Sequence, residues 1–187
     1  DESKLAGRSL APLLKVEQPQ WREHLFAMTA GAAPALYYPQ FSVRDARYKL
    51  IVSPDHEREN RSARAYLERY NIHFAAGTSP EEIAAGGERA KGIYQTYLKP
   101  PPLELYDLQA DPYELNNLAE NKEFTDIRQR LLTILEQWRR ETRDPLADAH
   151  KLRQFSQSQD QALDMKYRRD NSFRWGYLDD FANFLAN

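Results

Sequence analysis

The chain is predicted to be α+β: a small antiparallel sheet of about four strands packed against one long amphipathic helix, with shorter helices and a trailing arm. Three observations carry this expectation. Strand-length segments rich in apolar residues occur at 24–29, 41–44, 47–52 and 103–108, separated by turn-forming residues. Between 122 and 141, Phe124, Ile127, Leu131, Ile134, Leu135 and Trp138 recur at three- and four-residue steps, which lays them along one face of a helix. Beyond Pro145 the composition shifts to a glutamine-rich polar stretch and then an aromatic end.

A chain of 187 residues buries one sizeable core with an appended arm. Its 26 basic and 28 acidic residues leave a net charge of -2, so no general field draws it to nucleic acid or an anionic membrane, and neither is expected as a partner. Mean hydropathy is -0.80, and 12% of the residues are aromatic, a balance that suits a globular body with a polar tail. No apolar run approaches the ~20 residues a spanning helix needs. Zero cysteines exclude disulfides, thiolate metal sites and a cysteine nucleophile.

In chain order, residues 1–22 read as a connector anchored by Leu10, Leu13 and Leu14 and broken by Pro12 and Pro19. The run 24–29 reads as a mostly buried strand, followed by a small-residue loop. Residues 41–44 and 47–52 form a hairpin with Asp45 and Ala46 at its tip and Tyr48, Leu50 and Val52 on one face. A charged loop over 55–64 leads to a short helix carrying Ala65, Tyr66, Leu67 and Tyr70. Thr78 or Ser79 caps the next helix, with Pro80 and Glu81 in positions favoured at a helix start, and Gly86 and Gly87 stop it. Another helix spans 88–98 and ends before Pro100, Pro101 and Pro102.

The strand at 103–108 then runs into a turn at Asp111 and Pro112, where the aspartate is expected to bond the backbone two residues on. Glu114, Asn116 and Asn117 hold a bend, and Leu118 returns to the core. Asn121 caps the long helix, and Arg139 and Arg140 complement its dipole at the far end. Residues 153–164 read as a helix or an extended arm.

The segment LELYDLQADPYELNNL at 103–118 also resembles a signature near the end of the sulfatase family, LYDLxxDPxExxNL, through Leu105, Tyr106, Asp107, Leu108, Asp111, Pro112, Glu114, Asn117 and Leu118. GRSLAPLL at 7–14 is similar to the family's GxSLxPLL hand-over between its large and small domains. WREHLFAMT and YYPQFSVRDARYKLIV resemble two further family strands in the family's order. Within the family, the likeness is closest to the sugar sulfamidases and other carbohydrate sulfatases.

That resemblance implies a C-terminal sulfatase subdomain at 23–145, a connector at 1–22 from a catalytic domain outside the chain, and an arm at 146–187. It implies a complete enzyme that hydrolyses sulfate esters or sulfamates of carbohydrates, in which this piece completes the substrate cleft. It also implies an exported or periplasmic location. Family catalysis uses a formylglycine made from CxPxR or SxPxR, together with a calcium ion. The sequence contains neither motif. Formylglycine and calcium are therefore expected in the catalytic half, no cofactor in this chain, and no turnover from the chain alone. The partners implied are that catalytic domain, a sulfated carbohydrate, and a second copy through the C-terminal arm. The alternative is a stand-alone module binding sulfated glycans or a partner protein.

No residue is assigned a catalytic or metal-binding role. Tyr37, Tyr38 and Arg44 are the candidates for substrate contact, since guanidinium pairs with sulfate and tyrosine stacks on sugar. The competing reading packs both tyrosines in the sheet and uses Arg44 to support the hairpin. Trp175, with Phe173, Tyr177, Phe181 and Phe184 beside Arg168, Arg169 and Arg174, is either a sugar platform or an arm docked on a protein surface. Asp170 with Asn171 and Asp179 with Asp180 read as solvated acids, and His24, His56, His73 and His150 show no metal-ligand spacing.

Overall fold

Two apolar rows cross one antiparallel sheet whose strands lie in sequence order: β1 (Leu25–Thr29), β2 (Gln40–Arg44), β3 (Tyr48–Val52) and β4 (Leu103–Asp107). Register aligns Phe26, Val43, Leu50 and Leu105 in one row and Met28, Phe41, Val52 and Leu103 in the next. Successive side chains alternate between faces, so both rows share the inner face. Phe41, Val43, Leu50 and Leu105 are fully buried there. Asp45 fixes the hairpin: its Oδ1 accepts from the backbone N–H of Arg47 at 2.8 Å and of Tyr48 at 2.6 Å, and its Oδ2 from Arg130 at 2.7 Å.

The computed structural model describes residues 9–15, 20–31, 33–73 and 78–163, without the side chains of 68–73. Its helices are α1 (Ala11–Leu14), α2 (Arg61–His73), α3 (Pro80–Ala85), α4 (Gly87–Leu98), α5 (Thr125–Glu141) and α6 (Ala149–Gln161). None of the described helices is long and apolar enough to cross a membrane. A reciprocal capping box of Ser79 and Glu82 starts α3. The 3-10 turn Lys122–Phe124, capped by Asn121, leads into α5.

Helix α5 lies on the inner face, where Leu131 and Leu135 are buried and Ile127, Ile134 and Trp138 pack around them. Trp138 stacks on Phe26 with ring centroids 4.7 Å apart, and the Arg139 guanidinium sits 3.7 Å from the centre of the Phe41 ring. Each large side chain fully covered this way contributes ~1.5–3 kcal/mol, which makes the α5–sheet layer the main source of stability.

Three local expectations are revised. The strand β1 is not mostly buried: Leu25 and Met28 are 51% and 52% exposed. It lies at the sheet edge and pairs only with β2, and apolar composition does not say which face is covered. The stretch read as a charged loop up to residue 64 already holds the start of α2, where the Asn60 side chain accepts from the Ala63 N–H at 3.2 Å. The third concerns the core, which continues past Pro145. Leu146, Leu152 and Phe155 join it, with α6 capped by Asp148, so the glutamine-rich segment up to 161 is a docked helix.

Candidate functional site

Facing away from α5, the sheet presents a second pair of rows. Ala27, Ser42, Ile51 and Glu104 form one, and Leu25, Arg44, Lys49 and Tyr106 the other. Over the β3–β4 side of this outer face lies a groove of about 590 Å³, walled by one stripe of α4 and by the bend after β4. Glu88, Arg89, Gly92, Ile93, Thr96 and Tyr97 form the stripe; steps of three and four residues place them on a single helix face.

The bend is built by the residues that follow β4. Asp111 Oδ2 accepts from the N–H groups of Leu115 at 2.8 Å and Asn116 at 2.7 Å, four and five residues on rather than the two expected. Glu114 takes a left-handed backbone, φ 56°, a costly conformation for a residue with a Cβ. Lys49 of β3 holds it there, donating to both carboxylate oxygens at 2.9 and 2.7 Å. Asn117 then pairs with the open edge of β4: Oδ1 accepts from Leu105 N–H at 2.9 Å, and Nδ2 donates to Leu103 C=O at 3.1 Å.

Glu104 and Tyr106 form the floor, at 8% and 5% exposure. The Tyr106 hydroxyl donates to Glu104 Oε2 at 2.5 Å; Oε1 has no hydrogen bond among the described residues. Burial pushes the Glu104 carboxyl above the ordinary glutamate range, against the smaller opposing pull of the Tyr106 hydroxyl and Lys49. Burial, and then the neighbouring Glu104, push the Tyr106 phenol up as well. With a carboxylate, a phenol, the Asn116 amide and an exposed aromatic ring, the groove is equipped to bind hydroxyl groups.

Tyr37, Tyr38 and Arg44 stand elsewhere. Both tyrosines are buried. Tyr37 packs edge-on against Phe155 and meets the Ser156 hydroxyl at 2.9 Å; Ser156 donates in turn to Asp55 at 2.8 Å. Burial raises the Tyr37 phenol to about 12. The Tyr38 hydroxyl faces Ser53 without a well-formed hydrogen bond, and burial raises it to about 12 as well. Arg44 is exposed at the end of β2, its Nε–H 3.4 Å from the Asp45 carbonyl oxygen. Trp175, the rest of the aromatic end, Asp170 with Asn171 and Asp179 with Asp180 lie outside the described residues.

The sequence reading missed Glu104, Tyr106, Gly92 and Tyr97. A signal for the first two was present, because they alternate with Leu103 and Leu105 and so mark a second face of the same strand. For calcium, the described residues offer no fit: no three His, Asp or Glu converge as a cradle.

No family model matches the chain. It is 28% identical over 144 residues to human N-sulphoglucosamine sulphohydrolase, covering 75% of this chain and 27% of that protein. To an ulvan-active sulfatase of Formosa agariphila it is 26% identical over 144 residues, covering 76% of this chain and 26% of that protein. The chain thus spans about a quarter of the length of these curated relatives. Among solved structures, a 2-O GAG sulfatase overlaps at a TM-score of 0.47 with 20% identity, over 76% of this chain and 21% of that one.

Proposed function

Because the chain is a relative of the carbohydrate sulfatases, matching their C-terminal region, we propose that it is the C-terminal part of an enzyme hydrolysing sulfate esters or sulfamates of carbohydrates. In this reading it forms one side of the substrate cleft, and formylglycine and calcium belong to a catalytic part outside this sequence. The observation that carries the proposal is the extent of the match: 144 residues here correspond to 27% of human N-sulphoglucosamine sulphohydrolase. The residues agree with it, since the sequence has no CxPxR or SxPxR from which a formylglycine nucleophile could be made.

The test compares this chain alone with the same chain expressed in one reading frame with its upstream coding segment, matured by a formylglycine-generating enzyme and supplied with calcium. The substrates are 4-nitrophenyl sulfate and N-sulfoglucosamine. Turnover by the longer protein and none by the chain alone is the expected result. Turnover by the chain alone, purified free of other sulfatases, would refute the assignment. Upstream sequence lacking both motifs would favour a free-standing binding module.

A further inference from the structure

We propose that the groove between α4 and the outer face of β3 and β4 binds an uncharged, hydroxyl-rich sugar unit that carries no sulfate. The first argument is space. A Cβ added at Gly92 meets no atom within 4 Å, so the middle of the helix stripe leaves room where any other residue would project. Glycine is a poor helix former, and no packing contact requires it at this position.

The second argument is the pattern of groups. Tyr97 is 42% exposed along the wall, while Glu104 in the floor is 8% exposed with Oε1 lacking a hydrogen bond among the described residues. The exposed amide of Asn116 stands on the opposite bank, beside Asn117, whose amide is committed to the edge of β4. An aromatic face beside a fixed carboxylate and an amide matches a pyranose ring, whose C–H face stacks while its hydroxyls donate and accept. Glu104 Oε1 opens on the groove, where a ligand hydroxyl can donate to it.

Charge decides between a neutral and a sulfated ligand. Of the three lining carboxylates, Glu114 is paired with Lys49 and Glu88 with Lys91, both at 2.7 Å. Glu104 and Arg89 remain, opposite in charge, so among the described residues the groove has no surplus cation for a sulfate. A sulfate beside Glu104 would meet like charge. This inference concerns binding by the chain itself and holds whether or not a catalytic part lies upstream.

The test is retention on an array carrying cellotetraose, chitotetraose and laminaritetraose, each beside its O-sulfated derivative, followed by calorimetric titration of the members retained. At least one neutral tetrasaccharide should bind, with its sulfated partner at least tenfold weaker. Gly92→Phe should weaken binding at least tenfold by filling the groove, and Tyr97→Ala on the half-exposed ring should do the same. Glu104→Gln should also weaken it, by removing the charged acceptor. Circular dichroism and thermal melting establish which variants fold, and Tyr97→Ala decides the matter if Gly92→Phe does not. The proposal is overturned if no neutral member binds, if only sulfated members bind, or if folded groove variants bind like the parent.

Discussion

Replacing Asn117 with alanine should open the free edge of β4. One side chain there substitutes for a neighbouring strand. Its Oδ1 accepts from the N–H groups of Leu105 and Ala119, both at 2.9 Å, and its Nδ2 donates to the Leu103 carbonyl at 3.1 Å. The Leu118 N–H adds a backbone bond to the Leu105 carbonyl at 2.8 Å. Each of the three side-chain bonds is worth about 1 kcal/mol net, and a buried N–H left unpaired costs ~1–3 kcal/mol. Leu105 is wholly buried, so water does not readily replace its partner, whereas Asn117 is itself exposed and water can recover part of the rest. The expected loss is therefore about 2–4 kcal/mol, a fall in Tm of roughly 5–12 °C for a chain of this size. Urea unfolding followed by circular dichroism, at unchanged m-value, gives the number directly. Asn117→Asp keeps both acceptor bonds and loses only the donor, so it should cost about half as much near neutral pH. A loss below ~0.5 kcal/mol for Asn117→Ala, the size of an ordinary surface change, would show that the bend does not depend on this residue.

Leu131→Ala should cost ~2–5 kcal/mol in the same titration, because the side chain is fully buried between α5 and the sheet. Glu104→Gln should change how stability varies with pH. Burial raises the folded carboxyl above its unfolded value, so the stabilising effect of its proton is complete below the ordinary glutamate pKa and is lost as pH rises through the folded value. The variant should therefore gain on the parent between pH 4 and pH 8 in parallel thermal melts, and a constant difference across that range would contradict the burial argument. Gly92→Ala should raise stability by ~0.5–1 kcal/mol through helix propensity alone, since its new methyl meets nothing; a loss would mean that the groove wall is closed in solution.

What could be read from the sequence follows from how far apart the deciding residues lie. The α5 stripe and the β2–β3 hairpin were legible because each is specified within about twenty residues by a single period. Exposure of Leu25 and Met28 was not, since edge position depends on which strands pair, and that is settled by segments far along the chain. Helix α6 was half legible: Leu152, Phe155 and Gln159 fall at helical steps and are buried, but the polar residues around them masked a short apolar face. Tyr37 and Tyr38 left two readings open in the sequence, substrate contact or packing in the sheet, because what covers them lies far along the chain: α6 covers the first and the Ser53 turn receives the second.

The groove was hardest to foresee because β3, α4 and the bend after β4 each supply part of it. Its chemistry nevertheless had one local trace, the acid at 104 between Pro102 and Leu105 on a strand whose other face is core. A glutamate held in that position by Tyr106 through only one of its oxygens leaves the other turned to the groove, where an entering hydroxyl can donate to it.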